Sequence, residues 1–152
     1  MSGQLLLKNR RAFYEYEILK KYEAGLVLTG PEVKSLRHKS GSFAGSYVKI
    51  MSGEAWLINT QISPYKFANN SDYDPKRRRK LLLHKKEISE LIRETENSSR
   101  TLVPLAFILK GNHIKLELAI ARGKKQHDKR RALKEKAQKR DAARARKWSG
   151  QG

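Results

Sequence analysis

The chain has 152 residues, of which 38% are hydrophobic, and a formal net charge of +19. This length predicts one compact domain with a modest core, and the charge favours a polyanionic partner, most commonly nucleic acid. The absence of cysteine excludes disulfides and thiolate metal sites, and no apolar run approaches the ~20 residues of a membrane span, so we expect a cytoplasmic protein without membrane contact.

The N-terminal half reads as short strands around one helix. Residues 1–8 have no strong pattern and are predicted to form a loose arm. Alternation in "YEYEI" predicts a strand, which Ala24 and Gly25 end, and "LVLT" is the returning strand. Pro31 favours a short helix in "GPEVKSLRHKSG", and "SYVKIMSGEAWLINTQI" predicts a hairpin turning at Ser52-Gly53.

The second half begins with a long loop over 64–78, which ends in the basic run "KRRRK". Periodicity does not decide whether "LLL" (81–83) is strand or helix. "HKKEISELIRETEN" predicts a helix, and "TLVPLAFIL" and "HIKLELAIA" predict a second hairpin. Because the strands are short and mostly adjacent, the best-fitting fold is mainly β with short helices: a small antiparallel barrel of the oligonucleotide-binding type, plugged by a helix.

The segment from Arg122 to Lys147 carries thirteen Lys and Arg against three Asp and Glu. It contains helix-forming residues but only one large apolar residue, Leu133, before Trp148. We therefore predict a body, 1–121, and a basic tail, 122–152, that is disordered when free and helical when RNA neutralises it.

No pattern indicates catalysis. The four histidines are scattered, and no metal-ligand spacing, nucleophile motif or phosphate loop is present, so we expect no enzyme activity, cofactor, metal or small-molecule substrate. Glu23 and Glu32 have two readings: intramolecular salt bridges, or acceptors for base or ribose groups. Arg10 and Arg11 are either surface charge or a phosphate clamp. Most aromatic residues fit the core, with one or two exposed rings available to stack on bases.

Seven motifs in this order and spacing resemble the small protein B family, which binds transfer-messenger RNA. The motifs are "NRRAFYEYEI", "YEAGLVLTGPEVKSLR", "SYVKI", "GEAWLIN", "DPKRRRKLLLHKKEI", "TLVPL" and "ARGKKQHDKR". The resemblance implies a barrel that binds the tRNA-like end of this RNA and delivers it to stalled ribosomes for trans-translation. The tail would enter the empty mRNA channel of the small subunit near the decoding centre. We expect the protein to act as a monomer.

The resemblance also implies two sets of site residues. Asn9, Glu23 and Leu82 match family positions implicated in RNA binding. With the basic residues and Glu32 they make a predicted transfer-messenger RNA site: Asn9, Arg10, Arg11, Glu23, Glu32, Lys34, Arg37, Lys80 and Leu82. The predicted ribosomal site in the tail comprises Gly123, Lys124, Lys125, His127, Asp128, Lys129 and Arg130, with His127 stacking on ribosomal RNA.

Two other interpretations use the same composition. A ribosomal protein or general RNA chaperone would also combine a barrel with a basic extension, and only the ordered motif set argues against it. Binding of the tail to a membrane surface needs an apolar helical face, which Leu133 and a few alanines do not supply.

Overall fold

Antiparallel strands form most of this protein, which we describe from a computed structural model that covers residues 3–124, 130, 134, 136–138 and 140. In chain order the elements are β1 Gln4–Lys8, α1 Arg10–Glu15, β2 Tyr16–Leu26, α2 Gly30–Arg37, β3 Gly41–Ser42, β4 Tyr47–Met51, β5 Glu54–Ile58, β6 Gln61–Ile62, β7 Arg79–Leu82, α3 Lys85–Thr95, β8 Arg100–Lys110 and β9 His113–Gly123.

The main sheet has seven strands in the order β1-β8-β9-β2-β7-β5-β4, and β3 pairs with β6 in a second, two-stranded sheet. Contacts between β4, at one edge, and β8, next to the other edge, show that the main sheet curls back on itself. The predicted fold class, an antiparallel and barrel-like sheet with short helices, is confirmed.

The core lies inside this curl. Helices α2 and α3 each contribute one fully buried leucine, Leu36 and Leu91, to the main apolar cluster. A smaller cluster around Ala12, Val103 and Leu105 holds α1 against the other face of β8 and β9. No helix in the described part of the chain is long and apolar enough to cross a membrane.

The N-terminal arm is a strand, so the prediction of a loose arm is wrong from Gln4 onward. β1 pairs antiparallel with β8, from Gln4 opposite Leu109 to Lys8 opposite Ala106. The side chain of Leu6 is 3% exposed and belongs to the main cluster. An arm that supplies both backbone hydrogen bonds and a buried leucine is part of the sheet.

The predicted strand at "YEYEI" is half right. Its first two residues belong to α1, and the strand that begins at Tyr16 runs without a break to Leu26. Gly25 does not end it, because Gly25 pairs with Leu82 of β7 and a side chain at Gly25 would place its Cβ 3.2 Å from the Cβ of Leu82. The glycine makes room for a neighbouring strand.

The predicted returning strand "LVLT" is wrong, because Leu26 ends β2 and residues 27–29 are not strand, whereas the remaining elements follow their sequence signals closely. Thr29 caps α2 through a reciprocal capping box with Glu32, and Pro31 lies in its first turn. The predicted hairpins are confirmed as β4–β5 and β8–β9. Ser52 and Gly53 have φ angles of 51° and 74°, which suits a two-residue hairpin turn. Tertiary pairing with β5 resolves the ambiguous leucine run: Leu81 and Leu82 are strand.

Candidate nucleic-acid interface

The first part of the candidate site is the solvent-facing side of β2 and β7. Glu23 and Gly25 are two apart on β2 and share a face, and Leu82 lies directly opposite Gly25. Glu23 is exposed and forms an ion pair with Lys110. The side chain of Leu82 is 52% exposed although its neighbour Leu81 is buried in the core. The sheet therefore places Glu23 and Leu82 on the same exposed face, and their role in RNA binding stays a prediction.

Several lysines surround this pair. We call the whole surface the outer strand face; it comprises Lys21, Glu23, Val27, Lys80, Leu82, Lys110, Lys115 and Glu117, which lies directly opposite Glu23 and pairs with Lys21 at 3.5 Å. Val27 is 49% exposed and its backbone N–H donates to the carbonyl of Lys80. Lys80 pairs with Glu54 at 3.2 Å, with both side chains more than 40% exposed. Exposed apolar side chains that alternate with lysines and acids are suited to packing on a sugar or base while the lysines contact phosphates.

Glu32 is buried, and of the two alternatives for this residue the structure shows the intramolecular salt bridges. Its side chain is 1% exposed. The carboxylate accepts hydrogen bonds from the Nε atoms of Arg77, at 3.1 Å, and Arg79, at 2.7 Å, from the hydroxyl of Tyr73, at 3.2 Å, and from the backbone N–H of Thr29, at 2.9 Å. A carboxylate with these partners has no free edge for RNA, so the structure does not place Glu32 at an RNA-contacting position.

The hydrogen bonds to Glu32 separate the basic run 76–80 into residues that face the protein interior and residues that face solvent. Arg79 is fully buried and also donates from Nη1 to the carbonyl of Thr60, at 2.6 Å. Burial opposes ionisation of Glu32, but the hydrogen bonds from Arg77 and Thr29 and the charge of Arg79 outweigh it, so the pKa of Glu32 lies below its usual value. Arg77 and Arg79 therefore fasten the loop before β7 to α2.

Asn9, Arg10 and Arg11 lie at the start of α1. The backbone N–H of Asn9 donates to Leu105 and its side-chain Nδ2 donates to the carbonyl of Pro104, at 2.7 and 2.8 Å. Asn9 thereby ties this turn to β8, while Arg10 and Arg11 are exposed. All three line a cleft of about 590 Å³ that also includes Ser46 and Thr101.

Lys34 and Arg37 are exposed on α2, and Lys34 lies beside an aromatic ring outside the core. Lys34 Nζ lies 5.5 Å from the centroid of the Tyr65 ring. That ring is stacked on His38 and makes an edge contact with Phe67, whose side chain is 75% exposed. The only sequence signal for Phe67 was its place in a polar loop between Lys66 and Ala68.

The head of the tail is hydrogen-bonded to the body. Gly123 ends β9 opposite Tyr16, and the next backbone N–H, of Lys124, donates to the carbonyl of Glu15 at 2.9 Å. Lys124 Nζ also donates to the carbonyl of Phe13, at 3.2 Å. Arg130 is helical and exposed. The predicted roles of Lys125, His127, Asp128 and Lys129, and most of the tail prediction, fall outside the described residues.

Comparisons with known proteins agree on one family. Residues 6–148 match the family model described as SmpB protein. The SsrA-binding protein of Sulfurihydrogenibium sp. (strain YO3AOP1) is 50% identical over 141 residues, which are 93% of each chain. The SsrA-binding protein of Chlamydia muridarum (strain MoPn / Nigg) is 44% identical over 149 residues, covering 98% of this chain and 99% of that one.

One solved structure extends the likeness to three dimensions. A chain of the structure described as "tmRNA-SmpB: a journey to the center of the bacterial ribosome" is similar with a TM-score of 0.67 at 43% identity. The match covers 83% of this chain and 92% of that chain. Fold, motif order and sequence identity therefore converge on the same set of relatives.

Proposed function

This chain belongs to the SmpB protein family, and on that premise we propose that it binds transfer-messenger RNA and acts with it on ribosomes in trans-translation. It rescues stalled ribosomes by binding and carries out no catalysis, and its place of work is the cytoplasm. The observation that carries this proposal is Leu82, a half-exposed leucine on the same strand face as Glu23 and Lys80. A leucine exposed beside lysines can pack on a base or sugar while the lysines contact phosphates.

The body, which we now end at Lys124, holds the tRNA-like end of the RNA. Glu23, Lys80 and Leu82 contact it on the outer strand face, and Arg10 and Arg11 contact phosphates from the cleft beside α1. Exposed Lys34 and Arg37 extend the basic surface along α2. Glu32 is a positioning residue, because it acts through Arg77 and Arg79 on the loop that leads into β7.

The tail works on the ribosome. Eleven lysines and arginines from Lys125 to Lys147 suit a channel walled by RNA phosphates. The hydrogen bonds of Lys124 fix where the tail leaves the body, so the remaining tail residues, including His127, follow from a defined point. We propose that His127 stacks on ribosomal RNA near the decoding centre when the mRNA channel is empty.

The test separates RNA binding from ribosome rescue. Full-length protein and a version ending at Lys124 are compared for affinity to transfer-messenger RNA at ~150 mM salt, with a duplex RNA competitor. We expect truncation to retain most of the selective binding and to abolish tagging on stalled ribosomes. Equal affinity for the duplex would instead support a general RNA chaperone, and tagging by the truncated protein would refute the role of the tail.

A point substitution tests the tail more finely. His127→Ala removes a ring and leaves the cations of the tail unchanged. We expect a large loss of tagging with little change in affinity for free transfer-messenger RNA. Equal losses in the two measurements would refute a role specific to the ribosome.

A further inference from the structure

Trp56 lies at the centre of a basic surface on the outside of the barrel. It is on β5, with Lys49 of β4 directly opposite on one side and Lys80 of β7 directly opposite on the other. Directly paired residues share a face of the sheet, so both lysines project from the same side as the indole. The neighbouring residues of β5, Ala55 and Leu57, are buried in the core, which fixes the Trp56 side as the outer one.

Arg78 completes this cluster. Its guanidinium carbon lies 5.0 Å from the centroid of the Trp56 ring, a cation–π distance. Unlike Arg77 and Arg79, which are bound to Glu32, Arg78 points outward and is exposed. An arginine held over an aromatic ring loses little further side-chain freedom when it binds, and its N–H donors remain available for a phosphate.

The charges of the cluster are only partly compensated. Within the described part of the chain, no carboxylate pairs with Arg78 or Lys49, and only Lys80 has an acidic partner, Glu54. Three cations and an indole therefore lie together with a single acid at the margin. This composition favours an anion with a sugar or base attached, which is the chemistry of an RNA backbone.

The cluster is continuous with the outer strand face. Lys80 belongs to both, and Leu82 lies two residues farther along β7 on the same side of the sheet. We propose that Trp56, Arg78 and Lys49 form a further phosphate-binding site for transfer-messenger RNA, which carries the RNA contact from β2 and β7 across to β5 and β4. This inference rests on the proposed function, because it assumes that Leu82 and Lys80 contact the same RNA.

Trp56 supplies a direct reporter. The chain has two tryptophans, so full-length protein with Trp148→Phe has a single indole, at the proposed site. Titration with a transfer-messenger RNA transcript at ~150 mM salt should change its emission saturably, with the same midpoint that filter binding gives for the unsubstituted protein. Filter binding that saturates with unchanged Trp56 emission would refute the site and leave the proposed function intact.

Arginine variants test the contact itself. Arg78→Ala should weaken binding by about tenfold and reduce the slope of log affinity against log salt by about one phosphate contact. Arg78→Lys should keep most of the salt slope, since it keeps the charge. The matched control is Arg93→Ala, an exposed arginine on α3, and an Arg78→Ala affinity equal to that of Arg93→Ala would refute the proposal.

A final experiment tests whether the phosphate belongs to transfer-messenger RNA or to ribosomal RNA. The same single-tryptophan protein is titrated with small ribosomal subunits without transfer-messenger RNA. We expect no saturable change at Trp56 under these conditions. A response to the subunits alone would overturn the assignment to transfer-messenger RNA, whereas failure of the unsubstituted protein to bind this RNA selectively would refute the proposed function itself.

Discussion

Replacing Glu32 with glutamine should severely destabilise the body. Glu32 is 1% exposed and Arg79 fully buried, and the carboxylate accepts from Arg77, Arg79 and Tyr73. The amide of Glu32→Gln removes the negative charge and directs an N–H₂ group toward donors, which leaves the guanidinium of Arg79 buried without a counter-charge. Breaking a buried pair in this way costs about 3–5 kcal/mol. For a domain of this size that corresponds to a fall of roughly 10–20 °C in Tm.

The control is the same substitution at an exposed pair. Glu54→Gln removes a carboxylate that is 46% exposed beside Lys80, where less than about 1 kcal/mol is expected. Urea unfolding followed by circular dichroism gives the free energy of unfolding of both variants. If Glu32→Gln lost no more than Glu54→Gln, the buried network would not hold the fold together as we infer.

Acid should reproduce the effect of the substitution. Because the pKa of Glu32 in the folded protein lies below its ordinary value of 4.5, its contribution to stability is complete above that pH and is lost as the pH falls through the folded value. The difference between the parent protein and Glu32→Gln should therefore shrink below pH 4.5. A difference that stayed constant would show that the charge of Glu32 is not its source.

Three further results are expected. Leu82→Ala should weaken binding of transfer-messenger RNA about fivefold, because half a leucine side chain is available for burial, and should change the free energy of unfolding by less than about 0.5 kcal/mol. The control is Ile92→Ala, at an apolar site on α3 that is 41% exposed, and it should leave the affinity unchanged. Burial raises the pKa of the Tyr22 hydroxyl to about 12. The free energy of unfolding should therefore fall between pH 10, where tyrosine ionises in the unfolded chain, and pH 12. In Tyr22→Phe it should fall less over the same range. Asn9→Ala loses the hydrogen bond to Pro104 and should lower the free energy of unfolding by about 1 kcal/mol in urea; no change would mean that the backbone bond of Asn9 suffices.

The N-terminal region shows where sequence patterns stop being sufficient. Tyr14, Tyr16 and Ile18 alternate as a strand does, yet Tyr14 is helical. Helix α1 is held by contacts that its own sequence does not reveal: Ala12 packs under Val103 and Leu105, about ninety residues away. The sequence predicts a strand end at Ala24 and Gly25, whereas the missing Cβ of Gly25 is what lets β7 approach.

Among the site residues, too, sequence patterns predict some features and only the fold reveals others. Family motifs predict Glu23 and Leu82 as site residues, and the sheet places both on the same exposed face. The burial of Glu32 was not predictable, because its partners Arg77 and Arg79 lie 45 and 47 positions away in a run that looks uniformly basic. Only the three-dimensional fold distinguishes inner from outer arginines there. Arg78, between the two, takes the opposite direction and reaches Trp56.

The way β9 ends has a mechanical consequence. This strand pairs with both β8 and β2, and Gly123 and Lys124 continue it to hydrogen bonds with the start of β2 and with α1, so no slack separates sheet and tail. Because neighbouring strands hold β9 on both sides, the point at which the chain leaves the sheet is fixed. A one-residue insertion before Gly123 would turn the first tail residue to the opposite side, because side chains alternate along a strand. The register of β9 in the sheet thus determines the side from which the tail begins.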